Sequence, residues 1–136
     1  MLEYLAGFFD GEGCVSTEKR SGGGRTRHVS VQVVQIVNFR HILEEYQRRW
    51  GGQIYSKGTH PKRRRCLTWH TSGNGARKML TALLPYLRVK RKQARLALHL
   101  LKLHARNVKR RPVSDKEQAL RLKIAGRISV LNHLVV

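Results

Sequence analysis

The chain has 136 residues, with 28 Lys and Arg against 8 Asp and Glu, a formal net charge of +20. That length fits one domain with a real core, and a 40% hydrophobic fraction argues against a disordered basic tail. No apolar run of ~18 residues is present, so no membrane span is expected; Cys14 and Cys66 are too few for a disulfide framework.

Residues 2–10 read as a short apolar helix. A first hairpin is predicted over 14–20 and 28–36, around a Gly-rich basic loop. Its second strand alternates: Val29, Val31 and Val33 are apolar, with Ser30 and Gln32 polar between them. The alternation breaks at 33–36, where a bulge or the strand's end is expected. Asn38 is placed as the cap of a helix through Trp50, with Ile42, Leu43, Tyr46 and Trp50 on one face and Gly51 as its stop. A second hairpin spans 53–57 and 65–71 across a turn followed by Lys62-Arg63-Arg64-Arg65. Helices follow over 75–84, ending before Pro85, and over 90–105 with a broad apolar stripe. Ser114-Asp115-Lys116-Glu117 is a capping box opening a last helix to about Leu131.

The order α-ββ-α-ββ-α, then α-α, predicts an α+β fold: a four-stranded antiparallel sheet with helices on one face. One domain is expected over 1–136, with a core to about 105 and a helical extension from about 106 to 136.

Charge is placed unevenly. Residues 1–50 hold seven Lys/Arg and six Asp/Glu, while residues 51–136 hold twenty-one and two. Such a one-sign field attracts polyanions, nucleic acid before anionic membrane. A ribosomal or chromatin component would carry the same charge. The sheet face without helices is expected to present Ser16, Glu18, Arg20, His28, Ser30, Gln32, Tyr55 and Lys57. Those donors and acceptors suit base edges in a groove. The basic loop residues Arg25, Arg27, Arg63 and Arg65 would reach phosphates. An ordinary solvated sheet face is the plainer alternative.

Leu5-Ala6-Gly7-Phe8-Phe9-Asp10-Gly11-Glu12-Gly13 is the most informative stretch. Gly7 and Gly11 lie four apart beside Ala6, and small residues at that spacing permit close helix–helix approach. A lone short helix gains nothing from this, so a partner helix is implied, meeting Leu5, Ala6, Gly7, Phe8 and Gly11. Glu12 is left at the helix end, where a solvated C-terminal acid is the plain reading.

The segment resembles the defining motif of the LAGLIDADG homing endonucleases, with Gly11 and Glu12 as accepted variants of Ala and Asp. Val31-Gln32-Val33-Val34-Gln35 is similar to the family strand that ends in a metal-site Gln. Residues Leu84 to Ala94 resemble the segment carrying its basic-pocket Lys. The resemblance runs to about residue 105 and implies a saddle-shaped sheet. The motif occurs once, which in this family means a homodimer. In a C2 dimer the helix packs on its own symmetry mate.

The resemblance further implies a metal-dependent, intron-encoded DNA endonuclease that leaves short 3′ overhangs. Glu12 and the Gly11 carbonyl would bind Mg²⁺, Gln35 would order a water, and Lys90 would stabilise charge or tune that water. Mn²⁺ is expected to substitute, and Ca²⁺ to bind without supporting cleavage. The family's second basic-pocket residue, an Arg, aligns with Phe39 here, and Arg40 beside it is the candidate replacement; a solvated helix Arg is the other reading. Asp10 reads as a structural acid at the helix end. An RNA maturase or a DNA-binding regulator on the same scaffold is the alternative, with intron RNA as a further partner.

Strands of about 8–9 residues span roughly 27–30 Å. At ~3.4 Å per base pair, a dimer would follow roughly 18–20 base pairs of double-stranded DNA, nearly palindromic like the protein. The seven His residues form no zinc-binding spacing. No secretory leader is expected, the two cysteines point to an intracellular protein, and the resemblance implies a prokaryotic cytoplasm or nucleoid or an organelle.

Overall fold

Period-two burial in the strands separates the two faces of the sheet. The computed structural model describes residues 1–19, 27–56, 65–105 and 113–134. Helix α1 (Leu2–Glu12) leads into β1 (Gly13–Lys19) and β2 (Arg27–Ile36). Then come α2 (Arg40–Trp50), β3 (Gln53–Ser56), β4 (Cys66–Ser72), α3 (Gly73–Leu83), α4 (Arg91–Ala105) and α5 (Asp115–Leu134). The strands pair antiparallel in the order β1-β2-β4-β3. This is the α+β arrangement expected from the element order.

Val15, Val29, Val31, Val33 and Trp69 are fully buried on one face. They share a cluster with Leu5 and Phe9 of α1, Leu43 and Tyr46 of α2, Met79 and Leu83 of α3, and Ala97 and Leu100 of α4. Each large side chain buried this way contributes about 1.5–3 kcal/mol. Trp69 and Tyr46 anchor the cluster, their ring centroids 5.0 Å apart. The Tyr46 hydroxyl donates to the Leu5 carbonyl at 2.5 Å, tying α2 to α1, and burial pushes its phenol pKa up.

Helix α2 stops as expected at Gly51, with φ +72°, and Gly52 follows at φ +89°. A Cβ on Gly52 would lie 2.4 Å from the His70 carbonyl oxygen, so only glycine lets β3 start so close to β4.

One boundary expectation is corrected. Asn38 caps nothing: a 3-10 turn covers Val37–Phe39, Phe39 takes the cap position, and α2 begins at Arg40. The Val37 amide still donates to the Arg65 carbonyl at 2.9 Å, holding the chain to the second hairpin until the helix can begin. The break in alternation at 33–36 marks the strand's end, one of the two expected outcomes: β2 ends at Ile36 and stays in register with β4 from Ser30 to Ile36, without a bulge. β1 begins at Gly13, opposite Val33, so beyond that residue β2 pairs with β4 alone.

The last helix runs to Leu134, past the expected end. Half of its capping box forms: the Glu117 amide donates to the Ser114 hydroxyl at 3.2 Å, while the Glu117 carboxylate takes Arg121 at 3.2 Å. Arg121 is buried and also donates to the Leu103 carbonyl at 3.1 Å, joining α5 to α4. Ile124 and Ile128 belong to the main core. Near the C-terminal end of α5, the Asn132 amide donates to the Val15 carbonyl at 2.7 Å. An outer strand's unpaired backbone groups need such a cover. No described helix is long and apolar enough to cross a membrane.

Candidate functional site

Helix α1 ends Asp10-Gly11-Glu12, and the Gly13 amide closes it on the Phe9 carbonyl. Glu12 and Gly11 are exposed at that end. The two Asp10 carboxylate oxygens accept the backbone N–H groups of Arg88, at 2.8 Å, and Lys90, at 2.9 Å. The Lys90 ammonium in turn donates to the Asp10 carbonyl at 2.5 Å. Asp10 is thus committed to holding the chain, as a structural acid should be. Its grip brings Lys90, the residue before α4, to the helix end that carries Glu12.

A cleft of about 250 Å³ opens beside this junction, lined by Asp10, Gly11, Gly13, Cys14, Lys90, Gln93 and Asn132. Burial raises the Cys14 thiol pKa and the Lys90 charge partly offsets that. Gln93, Asn132 and Cys14 were not expected here. Asn132 reaches the cleft from the far end of the sequence, and only the packing of α5 along β1 shows it.

Gln35 is half-buried, and its side-chain carbonyl accepts the Ile36 amide at 2.8 Å. It does not line the cleft, and neither does Arg40. The Arg40 guanidinium lies on Glu44 at 2.8 Å, on the exposed side of α2. Phe39 is exposed.

The sheet face away from the core carries a polar row. Across the strands, Cys14, Gln32, His70 and Gln53 stand in register, and beside them Ser16, Ser30 and Ser72. Glu18 and Tyr55 are exposed, and Ser16, His28 and Gln32 are half-buried. The Glu18 carboxylate and the His28 ring approach to 3.5 Å across the strand pair. Ser30 corrects the expectation: it is 1% exposed, and its hydroxyl is 2.8 Å from that of Ser16. A short side chain between two flanking strands is covered by its neighbours. His70, Gln53 and Ser72 were missed, although alternation from Leu67 and Trp69 places His70 and Ser72 on this face. Arg65 is exposed. Arg20, Arg25, Lys57 and Arg63, with the side chain of Arg27, lie outside the described residues.

The expected contact face of α1 is also corrected. Leu5 and Ala6 are buried within the protomer, because residues 5, 6 and 9 form the stripe that meets the sheet. The free face consists of Glu3, Tyr4, Gly7 and Gly11, with Phe8 half-buried. A Cβ on Gly7 or Gly11 would meet nothing within 4 Å.

Among the described residues, no group of three His, Cys, Asp or Glu side chains could hold a metal ion. One protomer offers the Glu12 carboxylate and the Gly11 carbonyl, which falls among the last four of the helix and has no intrahelical partner. Both are hard oxygen donors at an exposed position, which suits Mg²⁺ with most of its shell supplied by water or substrate.

No protein-family model and no curated protein matches the sequence. Solved structures do. The homing endonuclease I-CvuI, in complex with its target in the presence of calcium, superposes with a TM-score of 0.76 at 24% identity, over 96% of this chain and 80% of that one. The archaeal intron-encoded homing endonuclease I-Vdi141I, complexed with DNA, gives 0.71 at 16% identity, over 96% and 82%. The LAGLIDADG meganuclease I-AabMI, bound to uncleaved DNA, gives 0.60 at 22% identity, over 79% of this chain but 38% of that one. The chain has the fold of the homing endonucleases.

Proposed function

We propose that the protein is a site-specific DNA endonuclease that acts as a homodimer and requires a divalent metal. The observation that carries this reading is the Asp10 junction. It sets an exposed carboxylate, Glu12, and a lysine ammonium, Lys90, at one helix end beside a polar sheet face, in a fold whose solved relatives include DNA complexes.

In the proposed complex the polar row of Gln32, His70 and Gln53 offers donors and acceptors to base edges. The basic second half of the chain grips phosphates. The free face of α1 meets its symmetry mate at Gly7 and Gly11, which brings the two Glu12 carboxylates together. Close like charges favour a cation between them.

Glu12 and the Gly11 carbonyl would hold Mg²⁺, with Mn²⁺ as a substitute and Ca²⁺ as a non-productive ligand. When bound, such a cation supplies charge stabilisation at the phosphate and a more acidic water. Lys90 places a positive charge beside the scissile phosphate. Gln35, at the end of β2, would order a water at the site. A chain of this kind works wherever its target DNA lies, inside a prokaryotic cell or an organelle.

A library of duplexes with randomised 20-base-pair sites tests the reading. The expected result is double-strand cutting with Mg²⁺, none with EDTA or Ca²⁺, and short 3′ overhangs at a nearly palindromic site. Tight sequence-selective binding without cutting under any of these ions would favour a regulator on the same fold instead.

A further inference from the structure

We propose that Asp10 is a positioning residue for Lys90: it fixes the distance between the lysine ammonium and the Glu12-bearing end of α1. This deepens the endonuclease reading and rests on it for the purpose of the contact. The contact itself rests on geometry alone.

Three hydrogen bonds make the junction. The Asp10 carboxylate accepts the amides of Arg88 and Lys90, and the Asp10 carbonyl accepts the Lys90 ammonium. Each half is placed where a helix dipole favours it. The carboxylate sits at the N-terminal end of α4, whose first turn is closed by the Ala94 amide on the Lys90 carbonyl at 2.9 Å. The ammonium sits at the C-terminal end of α1, among carbonyls that have no intrahelical partner. The two helix ends therefore hold each other through one residue from each. A long lysine side chain normally samples many rotamers. Here its backbone is pinned by the same residue that receives its tip, so the ammonium is held in one place. Glu12 lies one residue past Gly11 on that same turn, so the carboxylate and the ammonium share one rigid frame.

Asp10→Asn in the full chain is the test. The amide side chain keeps one acceptor oxygen, so one of the two backbone bonds is lost. Loss of that charge-assisted bond is expected to speed hydrogen exchange at the amide it held, that of Arg88 or Lys90, at least about tenfold. Acetylation of Lys90 by sulfo-NHS-acetate should rise by a similar factor, with exposed Lys92 unchanged. Unchanged exchange and acetylation overturn the junction, whatever the nuclease activity. Positioning is then read from cleavage. Asp10→Asn should lower the single-turnover rate without altering DNA affinity, and should have no further effect in a Lys90→Ala background. Additive losses in the double variant overturn action through Lys90. Asp10→Glu, which keeps both oxygens one methylene further out, is the second variant if Asn does not fold; its Lys90 acetylation should rise by a smaller factor, and no rise overturns the junction. A wild-type chain that cuts no DNA overturns the endonuclease reading and leaves exchange and acetylation to decide the junction.

Discussion

Individual side chains here do work that their neighbours in sequence do not announce. Tyr46 is one of them. Its buried hydroxyl is a second donor to the Leu5 carbonyl, which already accepts within α1, and Tyr46→Phe removes that bond at a cost of about 0.5–1.5 kcal/mol. Urea unfolding should show the loss; an unchanged midpoint would mean that water replaces the hydroxyl. Gly52→Ala should be worse than an ordinary glycine substitution. The new methyl would lie 2.4 Å from the His70 carbonyl oxygen at a positive φ, and strain of this kind costs of order 1–3 kcal/mol. At this scale the sequence was partly legible. Glu12, Asp10 and Lys90 could be named from their segments. That Asp10 and Lys90 hold each other could not, because the bonds join residues 80 apart in sequence. Ser30 was placed correctly by parity, yet its burial depends on neighbours in two other strands.

Secondary-structure elements were the most legible level, since the periods of 2 and 3.6 act locally. Strand β2 declared itself through Val29, Val31 and Val33, and α2 through its apolar stripe and Gly51. The errors fall where a distant contact overrides local preference. Asn38 is a good cap residue, but Val37 remains tied to Arg65. Leu5 and Ala6 belong to the core because the face of α1 is chosen by the sheet, which the nine-residue motif does not contain. Helix α1 also gives a sharp prediction. The open space around Gly7 in the protomer lets Gly7→Leu fold normally, whereas a close helix pair at that position cannot admit a leucine. Sedimentation should show the wild type as a dimer and Gly7→Leu as a monomer with an unchanged melting temperature. A Gly7→Leu dimer would place the interface elsewhere.

At the scale of the molecule, the dominant fact is charge. The excess of +19 after residue 50, doubled in a dimer, predicts a steep salt dependence of DNA affinity. Each phosphate contact adds about 0.9 to the slope of log affinity against log salt, so six to ten contacts would cost roughly 10³–10⁵ in affinity between 50 and 200 mM salt. A shallow slope in fluorescence anisotropy would mean that the basic residues are spread over the surface and do not face DNA together. The near-neutral first half carries α1, the Glu12 carboxylate and much of the polar face.

Glu12 is the test of the whole account. On a duplex carrying the selected site, with Mg²⁺ present, Glu12→Gln keeps the shape of the side chain and removes its charge. Cleavage is expected to fall at least about 100-fold, in line with the loss of one electrostatic contact in a reaction site, while DNA affinity in Ca²⁺ stays within a factor of about three. Cutting by Glu12→Gln at the wild-type rate would contradict it.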